Sequence, residues 1–416
     1  MVKPERRTRA DIVAAVAIAA VIAVAAGAIW WTSDARATLS RPAAVAAKSV
    51  PPADAVPRTL RQLWSAPSPA TTLPVVAGGT VVTGAGSSVE GRDPITGEPR
   101  WTYARDRPLC GLTWVYQYAV AVYPDRRGCG QVSTVDAATG KRGPARTGYA
   151  DDRVQLSSDG TVVLSTGASR LELWRSDMVR MIGFGEVDAR IKPNQIGVGQ
   201  GCRILSAAAS AMAVSLLQAC TGEADVRLTL LQPGDEDDEP AQRDVPQPGV
   251  TPDSTARVLV VSDTTTAVYL PTPAPRVAVV DQNGNEVSST PVPAPPSAAD
   301  PANTVTRAGK LYTWWTGTAV MVFNAEQLTH KFTVEPGDPT DPAVPLGPAT
   351  MMADKLLVPV TGGIGVYDSG TGERERVIAL DRPAMDSGVG VIVPNVVGAT
   401  VVEQRGRHVV ALGGDA

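Results

Sequence analysis

The chain has few residues of the types that usually carry enzymatic chemistry. It contains only two histidines, His330 and His408, and neither has a nucleophile and a carboxylate at a useful spacing. A Ser–His–Asp triad is recognised by geometry, so spacing does not exclude one, but no pattern supports it. We expect both histidines at the surface or in strand pairing. We assign no catalytic residue, no metal ligand and no cofactor.

The four cysteines form two similarly spaced pairs. Cys110 and Cys129 are 19 residues apart, and Cys202 and Cys220 are 18 apart. Each pair brackets a presumptive hairpin whose open end would bring both sulfurs together. Zinc is the alternative, but both spacings are far from the short Cys-x2–4-Cys spacing of zinc sites. The pairs therefore predict two structural disulfides in a protein that lies outside the cytoplasm.

Two segments resemble ligand loops but predict ordinary turns. Residues 197–201 alternate glycine with other residues, yet no strand–helix unit follows them, as a phosphate loop requires. We interpret them as a turn between two structural repeats of the chain, which are described below. The acidic run at residues 235–239 offers oxygen ligands for Ca²⁺ but lacks the Asp-x-Asp-x-Asp-Gly spacing, and we interpret it as a solvated loop.

Aromatic residues concentrate at residues 114–118 and 312–315. Successive strand residues face opposite sides of a sheet, so Trp314 and Trp315 are not both expected in the core. We interpret both segments first as ordinary packing between neighbouring repeats. The alternative is that one of the two tryptophans lies at a surface or in a groove between repeats, as an anchor for a partner.

A repeated Asp-x-x-Thr-Gly turn indicates the architecture that positions these residues. Clear copies run from Asp93, Asp136 and Asp368, and each ends in a glycine: Gly97, Gly140 and Gly372. A degenerate copy begins at Asp281. The first two copies are 43 residues apart, and a period of about 45 in an all-β pattern is typical of a β-propeller with one four-stranded sheet per repeat.

The strand pattern predicts eight blades, with seven as the alternative. The last blade has only three strands of its own, and a lone strand at residues 60–65 precedes the first blade. Trp64 in this strand corresponds to Trp101 at the end of the first full repeat. We therefore expect the N-terminal strand to complete the C-terminal blade, which removes both free edges.

The segment from Asp93 to Trp101 resembles the repeat of the pyrroloquinoline-quinone-like (quinoprotein dehydrogenase-like) propellers. The resemblance is partial at Asp136 and Asp368 and faint in blades 3 to 6. It implies that Trp64 and Trp101 dock on the neighbouring blade. The resemblance does not imply enzymatic activity, because the chain lacks the vicinal Cys-Cys pair of the family's enzymes and an acidic cluster that matches theirs. The chain is also similar to actinobacterial membrane proteins that combine one anchor with an Ala/Val-rich propeller.

An uncharged, apolar stretch of 20 residues, at 12–31, is long enough to span a bilayer. Lys3, Arg6, Arg7 and Arg9 precede it, which favours a cytoplasmic N-terminus at residues 1–11. A cleaved signal peptide with an Ala-x-Ala site at residues 35–37 is the alternative. We interpret residues 32–59, rich in Ala and Pro, as an extended tether, and residues 60–416 as an extracytoplasmic propeller.

Charge and composition exclude one class of partner. The formal charge is −4, or −6 without residues 1–11, so no basic surface predicts nucleic-acid binding. The first hypothesis is a non-enzymatic protein of the cell membrane whose propeller is a platform for envelope proteins. The second is an enzyme or ligand-binding protein that uses the central funnel. Fold alone does not decide between them.

Overall fold

The computed structural model describes residues 8–33, 36–189, 197–293, 305–337, 343–382 and 390–414. These residues form one helix, α1 (Arg9–Trp31), and 33 strands. The strands up to residue 250 are β1 (Leu39–Arg41), β2 (Arg61–Pro67), β3 (Val75–Ala77), β4 (Thr80–Ala85), β5 (Ser88–Arg92), β6 (Pro99–Ala104), β7 (Gly111–Val115), β8 (Tyr118–Asp125), β9 (Gly128–Asp136), β10 (Arg142–Thr147), β11 (Gln155–Ser158), β12 (Val162–Thr166), β13 (Arg170–Arg175), β14 (Arg180–Gly185), β15 (Cys202–Ala209), β16 (Val214–Cys220), β17 (Arg227–Gln232) and β18 (Ala241–Pro246).

The later strands are β19 (Arg257–Val261), β20 (Thr265–Leu270), β21 (Arg276–Asp281), β22 (Glu286–Pro291), β23 (Val305–Ala308), β24 (Leu311–Trp315), β25 (Val320–Asn324), β26 (His330–Val334), β27 (Thr350–Met352), β28 (Lys355–Val360), β29 (Gly363–Asp368), β30 (Arg374–Ala379), β31 (Ile392–Val397), β32 (Thr400–Arg405) and β33 (His408–Gly413).

The strands form eight antiparallel sheets, which confirms the predicted eight-bladed propeller. Blades 1 to 7 follow the chain order, each from its first, innermost strand outward. Blade 8 has the order β2-β33-β32-β31, so the N-terminal strand supplies its outermost position as predicted. In this pairing Trp64 lies opposite Ala411 and Pro67 lies opposite His408.

The apolar cores lie between blades. Each of eight buried clusters combines side chains from two adjacent sheets, including the pair formed by blades 8 and 1. In the last of these clusters Val81 of blade 1 packs with Val397, Val402 and Val409 of blade 8. Both faces of every sheet are therefore covered, as in buried sheets of other folds.

Strand direction defines two faces of the ring. Because neighbouring strands run antiparallel, the turns after the first and third strands of each blade lie on one side, which we call the turn face. The turns after second strands and the connections from blade to blade lie on the opposite side, which we call the connection face. The Asp-x-x-Thr-Gly turns follow third strands and belong to the turn face.

Residues 36–60, which we call the strap, do not form the free tether that we predicted. β1 pairs with β6 as a fifth strand of blade 1, with Leu39 opposite Ala104. The Ala43 and Ala47 amides then donate to the Thr139 and Ala138 carbonyls at 2.9 and 2.8 Å. These backbone contacts need no hydrophobic pattern, so the composition of the strap did not reveal them.

The strap continues across the turn face to the far side of blade 8. Lys48 lies against the turn of blade 1 at Gly79, and Val50 lies against Gly398 of blade 8. Val56 packs on the core between blades 7 and 8, and Arg376 of blade 7 donates to its carbonyl at 3.1 Å. Only seven residues, 32–38, separate α1 from the first strand of the propeller.

The helix itself makes no packing contact with the ring. Thr8 and Asp11 form a capping box at its start, and none of its described residues is buried. At about 1.5 Å per residue its 23 residues extend for roughly 35 Å, enough to cross a bilayer core. Length and composition are what support this reading, and a signal sequence would show the same features.

Ring closure predicts the effect of shortening the chain. Three shortened chains can be compared. The chain that begins at Arg36 keeps the strap and β2, the chain that begins at Arg58 keeps β2 without most of the strap, and the chain that begins at Pro67 lacks both. We expect the third to lose its cooperative thermal transition, because β33 then has a free edge and two cores are opened. The second should unfold cooperatively at a lower temperature than the first. Calorimetry of the three chains checks this, and similar melting of the second and third chains would contradict closure by β2.

Candidate functional site

The first strands of the blades surround a central channel with a cavity of about 520 Å³. Its walls include apolar strand residues such as Val258 and Ala208, together with a few polar groups. Gln155 and Arg257 lie at the connection-face ends of their strands. Arg307 and Tyr312 lie toward the turn face, beside the hairpin of blade 6.

Tyr312 and Arg307 are the main polar groups at the turn-face end of the channel. The guanidinium carbon of Arg307 lies 5.9 Å from the Tyr312 ring centre. Burial raises the pKa of the Tyr312 hydroxyl, Arg307 opposes this, and the carboxylates of Asp159 and Asp263 raise it further. The phenol therefore stays neutral at neutral pH.

A second cavity of about 630 Å³ lies at the turn-face mouth of the channel. The strap forms one wall of it through Val50 and Pro52, and Trp114 and Tyr116 of blade 2 lie in the other walls. Trp114 also lines the channel. Members of both aromatic segments that the sequence singled out thus meet at the channel, although these are not the tryptophans that we selected.

Trp314 and Trp315 both pack between blades. Trp314 is 1% exposed and lies against Tyr269 of blade 5, with ring centres 5.2 Å apart. Trp315 is half-buried on the core between blades 6 and 7 and donates from Nε1 to the Pro345 carbonyl at 3.0 Å. Both rings thus pack between blades, and neighbouring blades cover both faces of β24.

The remaining singled-out residues lie apart from the channel. His330 is exposed on blade 6 and its Nε2 lies 2.9 Å from the Thr333 hydroxyl, and His408 is exposed in β33. Asp237 of the acidic run pairs with Arg180 of blade 3. Residues 197–201 lie between blades 3 and 4, as expected for an inter-blade turn.

Both predicted disulfides are present, and both lie on the connection face. Cys202 is directly opposite Cys220 on neighbouring strands, which is the predicted hairpin arrangement. Cys110 and Cys129 differ from the prediction, because they join the first and third strands of blade 2 across β8. Two disulfides indicate an oxidising compartment outside the cytoplasm.

The repeat turns act as docking sites for the preceding blade. Trp101 donates from Nε1 to the Ala137 carbonyl at 2.7 Å, and its ring lies over Gly140. Trp64 repeats this geometry on blade 1, where it donates to the Pro94 carbonyl at 3.0 Å and covers Gly97. In both turns the ring lies so close to the glycine that a side chain there would collide with it.

The Asp residues of the turns hold the backbone in shape for this docking. The Asp93 Oδ1 accepts from the amides of Ile95 and Thr96 at 2.8 and 2.9 Å, and Asp136 and Asp368 act in the same way. A hydrogen bond from Lys355 and the amides of the turn lower the pKa of Asp368 to about 2. Gly97, Gly140 and Gly372 all adopt positive φ values near +75°, where glycine carries no steric penalty.

Other residues take the docking position in blades without tryptophan, and sequence analysis missed them. Phe332 covers Gly372. Arg376 donates a hydrogen bond to the Val56 carbonyl of the strap. Arg180 donates from Nε and Nη2 to the Asp237 carboxylate at 2.8 and 2.9 Å. Phe332 and Arg376 each lie eight residues after the first residue of the turn, like Trp101 after Asp93, so the spacing contained a signal that residue type concealed.

Arg146 docks blade 2 on blade 3 through a buried carboxylate. Its guanidinium lies 2.7 Å from Glu172, which also accepts from Arg170 at 2.6 Å and from Trp174 Nε1 at 2.9 Å. Burial alone would raise the pKa of Glu172, but the two arginines and the indole hold it below its ordinary value. This carboxylate is fully engaged and holds two blades together.

A similar buried network joins blades 7 and 8. Glu403 is completely buried and pairs with Arg382 at 2.8 Å and with Arg405 at 2.6 Å. Arg382 also donates to the Val360 and Gly363 carbonyls of blade 7. Within the described part of the chain, no group of three His, Cys, Asp or Glu side chains is arranged to hold a metal ion.

Comparison with known proteins does not show a family for this chain. No family model and no curated protein matches the chain. Solved structures with a related shape include Saccharomyces cerevisiae Sqt1, at 9% identity and a TM-score of 0.47 over 90% of this chain and 99% of that one. Another is dihydro-heme d1 dehydrogenase NirN, at 15% identity and a TM-score of 0.47 over 84% of this chain and 74% of that one. The N-terminal domain of Nup159 has 10% identity and a TM-score of 0.43, over 89% and 99%. These values carry no argument about function.

The contact between Trp64 and Gly97 predicts that a side chain at position 97 destabilises the ring, and Gly86 provides a matched control. Gly97→Ala should destabilise the ring more than Gly86→Ala. Both glycines have positive φ, of +74° and +59°, so both substitutions carry about 1–2 kcal/mol of backbone strain. Only Gly97 is in contact with Trp64, whereas an added Cβ at Gly86 meets no atom within 4 Å. We expect a further loss of about 1–3 kcal/mol from overpacking, measured by denaturant unfolding. Equal losses would show that the dock is not under steric constraint.

The Glu172 network predicts a loss of stability and of its acid dependence. Glu172→Gln removes one buried charge among three arginines and should cost about 3 kcal/mol. Because the folded-state pKa is lowered, the stabilisation is present above the ordinary value of 4.5 and is lost as pH falls through the folded value. The variant should therefore show a flatter stability profile below this pH. Asp177→Asn, in an exposed pair with Arg175, is the control and should cost under about 1 kcal/mol. An equal effect of both substitutions would refute the structural role of Glu172.

Proposed function

We propose that this chain is a single-pass protein of the cell membrane whose propeller lies outside the cytoplasm and serves as a platform for envelope proteins. The observation that carries the proposal is the mounting of the ring. An apolar helix without a buried residue is joined through seven residues to β1, the part of the strap that is hydrogen-bonded into blade 1. A ring attached in this way is held close to a bilayer in a restricted set of orientations.

The disulfides support the outward topology more strongly than the flanking charges do. Four basic residues, Lys3, Arg6, Arg7 and Arg9, precede the apolar stretch at residues 12–31, and three follow it closely, at Arg36, Arg41 and Lys48. This difference is too small to decide the orientation by the positive-inside rule. Disulfides persist outside the cytoplasm and are rare within it. We infer that the N-terminus is cytoplasmic because the cysteines of blades 2 and 4 are oxidised.

The connection face is the better candidate for partner binding. The strap occupies part of the turn face, whereas the connection face carries described segments between blades such as residues 247–256. Binding residues concentrate on such connecting segments when a rigid scaffold supports them. The shared dock of Trp64 and Trp101 also supports our inference that the repeats are of the pyrroloquinoline-quinone-like type, used here as a scaffold without catalysis.

The channel supports a second candidate, the binding of a small ligand. The two cavities are of a size that small-molecule sites commonly have, and their apolar walls with a few polar groups are typical of such sites. Tyr312, Arg307 and Trp114 would be its recognition groups. This candidate is compatible with a platform, since a ligand in the channel and a protein on the connection face do not compete for the same surface.

Site-specific crosslinking in cells tests the platform. A photo-crosslinking residue in place of Glu223 or Asp253 places the probe on the connection face, and one in place of Glu326 or Asn283 places it on the turn face. All four positions are exposed. We expect a discrete adduct, recovered with the membrane fraction, from both connection-face positions and none from the turn-face controls. Adducts from no position, or equally from all four, would contradict the proposal, as would recovery in the soluble fraction.

A further inference from the structure

The strap is the basic part of an otherwise acidic propeller. It contains Arg36, Arg41, Lys48 and Arg58 against one acidic residue, Asp54, for a formal charge of +3. The whole chain carries −4 and residues 1–35 carry +1, which leaves −8 for residues 61–416. A charge separation of this size produces a field with a defined direction across the ring.

These basic side chains are exposed and held in place. Arg41, Lys48 and Arg58 are exposed and have no ion-pair partner among the described residues. The turn of blade 2 adds Lys141 and Arg142, which are likewise exposed and unpaired within the described part of the chain. This turn lies beside the strap, since Pro42 contacts Gly140. We call the strap together with Lys141 and Arg142 the basic sector.

The opposite side of the turn face has the reverse charge. The outer turn of blade 4 carries the acidic run at residues 235–239, of which Asp237 is paired with Arg180. Blade 4 lies across the ring from blade 8, where the strap ends. The turn face therefore has a basic sector at blades 8, 1 and 2 and an acidic one at blade 4.

Apolar side chains are exposed in the same basic sector. Val45 of the strap is 75% exposed, and Ile95, in the outer turn of blade 1, is 65% exposed. Basic residues accompanied by exposed apolar ones are typical of surfaces that rest on a lipid interface. The acidic turn of blade 4 offers no comparable apolar residue.

The helix places this sector within reach of the bilayer. From Trp31 to Leu39 the chain advances eight residues, which span at most roughly 26 Å. β6 extends over six residues, or about 20 Å, from the turn face to the level at which β1 begins. The amides of Arg36 and Ala37 donate to the Ser33 carbonyl and Arg36 lies over the Trp31 ring, so the link is folded in this structure. Once this turn opens, the extended link is long enough to let the turn face of blades 1 and 2 touch the lipid surface.

We propose that the basic sector docks the propeller on anionic lipid headgroups beside its own helix, so that the ring tilts onto blades 8, 1 and 2 and lifts blade 4 away. This inference rests on the proposed membrane attachment and adds a partner and an orientation to it. Juxtamembrane basic residues are attracted to anionic lipid within about a Debye length. The connection face is then directed away from the bilayer and is open to a protein partner.

Orientation in lipid nanodiscs tests the proposal with the full-length chain. A fluorescent non-natural amino acid at Ile95 or at Glu236 serves as donor, and a headgroup-labelled lipid serves as acceptor. In discs that contain phosphatidylglycerol, we expect higher transfer from position 95 than from position 236, with a difference that added salt abolishes. In discs of phosphatidylcholine alone the difference should be small. Equal transfer from the two positions in both lipids would overturn the proposal.

Matched charge variants identify the residues responsible. Arg41→Glu, Lys48→Glu and Arg142→Glu, combined, should abolish the lipid-dependent difference. Arg203→Glu, Arg243→Glu and Lys310→Glu change the same number of exposed charges on blades 4 and 6 and should leave it intact. If the first variant does not fold, the neutral Gln replacements at the same three positions should reduce the difference without adding negative charge. Equal behaviour of the two sets would overturn the assignment.

The same preparation separates this inference from the proposed function. A chain that does not insert into discs and is recovered as a soluble protein from cells refutes membrane attachment itself. A chain that inserts but shows transfer independent of lipid charge retains the attachment and refutes only the docking surface.

Discussion

Every sheet of this propeller is apolar on both faces, and only a neighbouring sheet covers each face. No blade has a core of its own, since all eight buried clusters lie between adjacent blades. A linear row of such sheets would leave two apolar faces and two strand edges exposed. The pairing of β2 with β33 removes all four at once. The contacts between residues more than 300 positions apart, such as Thr71 with Gln404 and Asn395 with the Pro74 carbonyl, follow from this closure.

Side chains of different chemical types hold one blade against the next at the docking position, where an outer strand contacts the neighbouring blade. Trp64 and Trp101 satisfy it with a ring over glycine and one hydrogen bond to a carbonyl. Arg146 satisfies it with a buried carboxylate, at a desolvation cost that the paired charges only partly offset. The tryptophan dock contains no ion pair between blades among the described residues, whereas the ionic dock depends on the ionisation of Glu172. We therefore expect the interface of blades 2 and 3 to open before that of blades 1 and 2 in acid.

The sequence predicted the features that depend on local patterns. The Asp-x-x-Thr-Gly turns need positive φ at Gly97 and Gly140, and this requirement produces a sequence motif whose repeats can be counted. The closing strand was also predictable, because Trp64 matches Trp101. The strap was not, since it binds through backbone amides and has no alternation. Alternation could not decide how Trp314 and Trp315 are placed, because it distinguishes inside from outside only when one face of a sheet is free. The channel residues Tyr312 and Trp114 were noticed only as members of aromatic segments, since their meeting depends on the closed ring.

The strap joins the ring to the apolar helix in a way that a flexible linker would not. A free linker of 25 residues has an end-to-end distance of roughly 25–30 Å and imposes no orientation. Here the same residues are fixed by β1, by Ala43 and Ala47 and by the contact of Arg376 with Val56, so that only seven residues can change the angle between helix and ring. The cost is a smaller reach, and the gain is that one face is presented consistently. A protein that must meet a partner at a defined height above a bilayer benefits from this, because restricting its orientations raises the fraction of encounters that can lead to binding.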